Sequence, residues 1–330
     1  FLFALFGVCF YFAIQKRVRF AAANLAAACA AVREYPATIG ISLLTVLVQF
    51  IWILVWSLAM FGVVKKTPGD HYAAEIFLLF SLLWGQQVAQ YVMFCTVAGT
   101  VGSWWFTGAG GTKNPTLGAL KRAMSTSFGS IAFGAALLAI IQTMRAIARS
   151  SKRKALRGRG GGALIMACLA CFAACFLRCL EDMLRFWNRY AFVYVAVYGK
   201  TYCSAGKEVT NLFMERGWSS VINSNLIDST LTLGSMGVGA LSGAIGAGIG
   251  FLGDHNNLTG EDLYIPGIAS LLMGFFVALC CSAVISAAVT TVFVCFASAP
   301  EALAETNPEL FANLLGTWLD IHPEIMAGCG

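Results

Sequence analysis

The side chains best suited to chemistry in this 330-residue chain are polar and aromatic groups set inside apolar runs. Trp84, Gln87 and Tyr91 fall at i, i+3 and i+7, so a helix presents them on one face as an aromatic and amide surface. Gln86 and Gln90 lie in the same stretch, and each amide in an apolar setting must find a partner or a watery cavity. That face suits a ligand, and interhelical glutamine hydrogen bonds with aromatic packing account for the same pattern. Tyr190, Tyr194, Tyr198 and Tyr202 recur every four residues and line one stripe of a helix. A quaternary ammonium donates no hydrogen bond from nitrogen and is held against ring faces, each worth roughly 0.5 to 2 kcal/mol. An interfacial aromatic belt has the same spacing. The carboxylates near the ends of apolar runs are Glu75, Glu181, Asp182 and Asp228; Glu75 and Asp228 read as solvated charges, whereas Glu181 stays open between that and a counter-charge or proton relay.

Other chemistries find little support. Cys168, Cys171, Cys175 and Cys179 share one helical face by their spacing of three, four and four, which fits packing or lipid attachment better than zinc, whose thiolates come from loops or separate elements. His71, His255 and His322 lie in connectors or the tail and form no protease-like pair. The run Gly108-Ala109-Gly110-Gly111 precedes Lys113 without the Gly-Lys-Ser/Thr ending of a phosphate loop and reads as a flexible connector. We therefore expect no enzyme: no catalytic residue, no metal and no cofactor. The net charge of +6 becomes −1 without the seven basic residues between 145 and 159, so no distributed basic surface remains for nucleic acid.

The elements that must position these residues follow from the charge distribution. Charged residues make up 12% of the chain, against about 25% in soluble domains. Charge-free runs cover 1–15, 35–64, 76–112, 123–144, 160–177, 229–253 and 263–300. A helix needs about 20 residues to cross the hydrocarbon core, and in lipid only helices or closed barrels satisfy the backbone. No run alternates as a barrel strand does, so the fold class is all-α: a polytopic helical membrane protein with about seven spans. They are expected near 1–14, 38–62, 74–99, 124–146, 162–181, 229–253 and 267–296. Residues 1–330 read as a single transmembrane domain. Phe1 stands in an apolar run without an initiator Met or basic leader, so an N-terminal truncation, with earlier spans before it, is expected.

Between the spans, 16–35 is expected to be an amphipathic surface helix on Val18, Ala22, Leu25, Cys29 and Val32, stopped at Pro36. Residues 145–161 form a basic linker suited to lipid headgroups, and 297–330 a C-terminal tail. Gly239, Gly243, Gly246 and Gly250 have the small-residue spacing that lets helices approach closely. Lys16, Arg17 and Arg19 put the end of the first span inside. Alternation then puts 254–266 outside, where Asn257-Leu258-Thr259 is a glycosylation acceptor. The same count puts 145–159 outside, against the positive-inside preference.

From Leu180 to Cys203 the chain resembles the choline transporter-like family, solute carrier family 44. Cys179, Leu180, Glu181, Asn188, Ala191, Phe192, Ala196, Tyr198, Gly199, Lys200 and Cys203 carry the likeness. Lys121, Arg122, Phe128, Gly129, Ser130, Gly134, Ile141 and Gln142 match a second family segment. Near the C-terminus Pro300-Glu301 and Pro308-Glu309-Leu310 resemble a third, with Ser298 and Ala299 where the family has an acidic pair.

The resemblance implies an integral, multi-pass protein of the plasma membrane or an organelle membrane that moves choline or a related organic cation, facilitatively or with proton coupling, and without a bound cofactor. The substrate-binding candidates are then Trp84, Gln87, Gln90, Tyr91, Glu181, Asn188, Tyr190, Tyr194 and Tyr198, with a quaternary ammonium and membrane lipids as partners. A non-transporting scaffold or accessory subunit of a larger membrane complex is the alternative, motivated by the glycine-rich helix and the basic run.

Overall fold

A computed structural model of the chain describes residues 2–66, 72–157, 161–216, 219–253 and 260–321, except for side chains at 2–17, 64, 66, 157, 161, 215–216, 219–226, 251–253, 260–264 and 320–321. Every element among them is helical: α1 (Leu2–Glu34), α2 (Ala37–Lys66), α3 (Tyr72–Thr107), α4 (Pro115–Met124), α5 (Phe128–Arg157), α6 (Gly161–Tyr198), α7 (Tyr202–Arg216), α8 (Ser219–Gly253), α9 (Gly260–Ser298), α10 (Pro300–Thr306) and α11 (Pro308–Ile321). Six are long and apolar enough to cross a membrane: α2, α3, α5, α6, α8 and α9. The seventh expected span, 1–14, belongs to α1, where the side chains lie outside the described residues. Asn257, His71, His255 and His322 also lie outside them. The chain is thus an all-α, multi-pass integral membrane protein.

The helices group into two compact units. One comprises Phe1–Leu43, Val97–Thr116 and Leu212–Gly330. Within it α8 and α9 pack through small residues. A Cβ on Gly246 would collide with the Ser270 hydroxyl and stand 2.7 Å from the Pro266 carbonyl oxygen, and one on Gly239 would stand 2.8 Å from Phe275. Only hydrogen at these positions lets the helices approach so closely. The expected stripe of α1 proves two-faced. Phe20, Ala21, Ala23, Asn24, Ala27, Ala28 and Ala31 are buried, while Val18, Ala22 and Cys29 are exposed. α1 rests on α9 and α11, with Phe20 edge-on to Trp318 at 5.3 Å. Part of the expected tail is therefore ordered helix: Pro300 and Pro308 start α10 and α11, as suits a residue lacking an N–H. Trp105 donates to the Ala299 carbonyl at 3.0 Å and ties α3 to this region. The connector after α3 is a defined turn, with Gly108 and Gly110 at φ +72° and +75° and Gly108 N–H capping Trp104.

The other unit comprises Leu44–Thr96 and Leu117–Asn211. Gln49 and Gln86 each donate to the other's backbone carbonyl at 3.2 Å, a reciprocal clamp between α2 and α3 that satisfies two amides. Trp52 lies against Gly85, and Trp56 donates to the Leu78 carbonyl at 2.7 Å. α5 and α6 form an antiparallel pair. The basic run expected as a linker is a continuation of α5, helical to Arg157. Likewise α6 runs unbroken for 38 residues, about 57 Å, through both the expected span 162–181 and the tyrosine stripe.

Candidate functional site

The candidate residues gather where α3, α5, α6 and the start of α7 meet. Asn188, fully buried on α6, is the hub. Its amide nitrogen donates to Tyr91 Oη at 3.4 Å and to the Gly134 carbonyl at 3.3 Å, and its oxygen accepts from the Tyr202 hydroxyl. Three partners fix the amide's orientation. Phe192 stands 4.4 Å from the Tyr91 ring and 5.7 Å from that of Tyr202, and Phe133 lies edge-on to Tyr202 at 5.6 Å. Gly134 leaves room for both Phe192 and Tyr202, because a Cβ there would come within 2.7 Å of each.

Tyr202 was expected as the fourth ring of the stripe, and the structure places it elsewhere. α6 stops at Tyr198, and Gly199 at φ +65° turns the chain. Tyr202 then opens α7, its N–H bonded to the Ser130 hydroxyl and its ring folded back onto Asn188. Burial pushes the Tyr202 hydroxyl up to about 12, helped by the nearby Tyr91 and Cys203. Of the remaining stripe, Tyr190 is buried beside Phe186 at 5.0 Å, while Tyr194 and Tyr198 stack at 5.5 Å. The Lys200 ammonium lies 5.9 Å from the Tyr194 ring and pairs with Glu208.

A second polar line leads from Gln87. Its amide donates to Gln142 at 3.3 Å, and Gln142 donates to Glu181 at 3.0 Å. Glu181, buried on α6, also receives Arg145 from α5 and Arg185 from its own helix at 2.9 Å. One carboxylate held by two guanidiniums and an amide is satisfied, and the triad carries a net single positive charge. Trp84 donates to the Ala132 carbonyl at 3.0 Å and stacks on Phe80, whereas Gln90 is exposed. Trp84, Gln87 and Tyr91 thus all reach α5 or α6, as their shared face requires.

Gln142, Arg145 and Gly134 complete the site without having been among the candidates, and Tyr202 joins it from α7 rather than from the α6 stripe. Gln142 and Arg145 lie one turn apart at the end of an apolar run, the signal that could have marked them. Among the described residues no three His, Cys, Asp or Glu side chains converge to hold a metal.

Comparison with known proteins adds the lineage. A family model described as plasma-membrane choline transporter matches residues 1–301. A CTL-like protein of Dictyostelium discoideum is 30% identical over 320 residues, covering 96% of this chain and 55% of its own length. The protein PNS1 of Cryptococcus neoformans var. neoformans is 29% identical over 98% of this chain and 61% of its own length. PNS1 of Mycosarcoma maydis is 28% identical, with 99% and 63% covered. The chain therefore spans little more than half the length of the curated relatives it matches. With the match running through all six membrane-crossing helices, the chain belongs to the choline transporter-like family.

Proposed function

We propose that this chain forms the membrane region of a carrier for choline or a related organic cation, moved facilitatively or with proton coupling. The observation that carries the reading is a buried amide walled by rings inside membrane-crossing helices: Asn188 between Tyr91 and Tyr202, with Phe192 against both. Choline has a quaternary head that ring faces attract and a hydroxyl that an amide can hold. No bare carboxylate is needed. A site of rings and amides binds a cation weakly enough to release it, as a carrier must. In this reading Trp84, Gln87, Gln90, Tyr91, Asn188, Tyr190, Tyr194 and Tyr198 line the cation's route. Glu181, already claimed by Arg145 and Arg185, sets the position of Gln142 and Gln87. Membrane location supports the reading, as does membership of a family described by choline transport.

The test is labelled-choline uptake into vesicles carrying the full-length protein. Replacing Tyr194 or Tyr198 by Ala removes a ring worth about 0.5 to 2 kcal/mol, so apparent affinity should fall about 2- to 30-fold, while Phe should preserve it. Equal damage from Phe and Ala would assign the role to the hydroxyl and reject the ring–cation contact.

A further inference from the structure

The pairing of α5 with α6 sets each helix's apolar half against the other's charged half. Arg145 of α5 reaches Glu181 of α6, and further along Lys152 Nζ stands 3.3 Å from Cys171 Sγ. Cys171, Cys175 and Cys179 therefore lie in step with the α5 segment from Arg145 to Lys152, and Cys168 lies one turn beyond. Arg149, Arg153 and Lys154 are exposed on α5 at this level. Such side chains keep their charges among headgroups while their stems lie along apolar surface. Cys168, Cys175 and Cys179 are free and exposed, and Cys171 is half-covered by Lys152. Around them Ile165, Leu169, Phe172 and Phe176 of α6 are also exposed.

We propose that Cys168, Cys175 and Cys179 are a site of S-acylation by long-chain acyl groups. Three exposed thiols beside a basic strip that suits lipid headgroups, and on an apolar helix face, present the nucleophile where an acyl chain can enter the bilayer. Each thiolate attacks the carbonyl of a long-chain acyl-CoA thioester. A new S–C bond forms, the C–S bond to coenzyme A breaks, and the released coenzyme A thiol takes up the proton the cysteine lost. No electron is transferred. The spacing of three, four and four spreads the sulfurs over three turns, which suits separate chains. The donor is an intracellular thioester, so this end of the hairpin faces inward, the side its seven basic residues favour over the alternation count.

The experiment uses full-length protein from cells: free thiols are blocked, thioesters are cleaved with hydroxylamine, and the freed cysteines receive a mass-tagged maleimide. The expected result is a hydroxylamine-dependent shift of up to three tags. Each of C168S, C175S and C179S should lower it, the triple variant should abolish it, and C171S or C203S should leave it unchanged. The single variants keep the test informative should the triple variant fail to fold. Absence of any hydroxylamine-dependent tag, while a known acylated membrane protein from the same cells is tagged, overturns the proposal. So do tags that persist in the triple variant, or labelling of these cysteines in intact cells by a membrane-impermeant maleimide.

Discussion

Replacing Gly134 by Ala tests the Asn188 site with a single methyl group. An ideal Cβ there stands 2.5 Å from Tyr202 Cε2 and 2.7 Å from Phe192 Cζ. Those distances fall about 0.9 and 0.7 Å short of ordinary carbon contact. Neither ring moves freely. Phe192 is fully buried, and Tyr202 is tied through its hydroxyl to Asn188, so relief must loosen that bond or shift α7. Overpacking of this size costs about 1 to 3 kcal/mol, and the helix gains back roughly 0.5 to 1 kcal/mol on losing a glycine. The net expectation is a loss of up to about 2.5 kcal/mol in thermal unfolding of the detergent-purified protein, with a raised KM for choline uptake. G62A is the control, because a Cβ on Gly62 meets nothing within 4 Å and should leave stability unchanged or slightly higher. If G134A matches G62A in both stability and KM, the close packing of Phe192 and Tyr202 on Gly134 does not hold the site.

The same unfolding measurement separates three further expectations. G246A should destabilise the α8–α9 pair by about 1 to 3 kcal/mol, because its Cβ meets the Pro266 backbone oxygen at 2.7 Å, while G248A, with open space, should be neutral; equal behaviour would contradict the packing. E181Q strips a charge partner from Arg145, whose side chain is 18% exposed, and should cost about 3 to 5 kcal/mol, with R145Q added to it restoring part of the loss. Strict additivity of those two changes would deny the pair. Tyr202 keeps its proton in the folded protein up to about pH 12, whereas the unfolded chain loses it near the ordinary tyrosine value of 10. Its contribution is therefore complete below pH 10 and lost as pH rises from 10 through 12. Across that window wild type should lose stability relative to Y202F, and parallel curves would remove the effect.

Charge-free runs made the spans legible, because lipid tolerates few ionised groups and each run of about 20 apolar residues marks a crossing. Where charges interrupt such a run, the signal fails. Arg178, Glu181, Asp182, Arg185 and Arg189 mark the end of a span at 181 by that rule, yet α6 continues to Tyr198. Arg145 from α5 satisfies Glu181, and Arg178 pairs with Asp182 one turn on at 3.8 Å. The i,i+4 pair is readable from spacing, but the cross-helix partner Arg145 is invisible to local pattern. The face shared by Trp84, Gln87 and Tyr91 was readable from spacing, but its partners Ala132, Gln142 and Asn188 were not, since pairing depends on how α3, α5 and α6 are set together. The tyrosine period misled at Tyr202, because Gly199 ends the helix on which the period was counted. Phe20 and Trp318 lie nearly 300 residues apart, and nothing in the 297–330 stretch announces that α11 docks on α1.

In the proposed mechanism a ring-walled amide among these helices passes an organic cation through the bilayer. Reconstituting the full-length protein and N188A in sealed vesicles and following labelled choline tests it most directly. Saturable uptake by the intact protein above empty vesicles is expected, with N188A strongly reduced at equal incorporation. Uptake no greater than in empty vesicles, or N188A transporting as well as the intact protein, would contradict it.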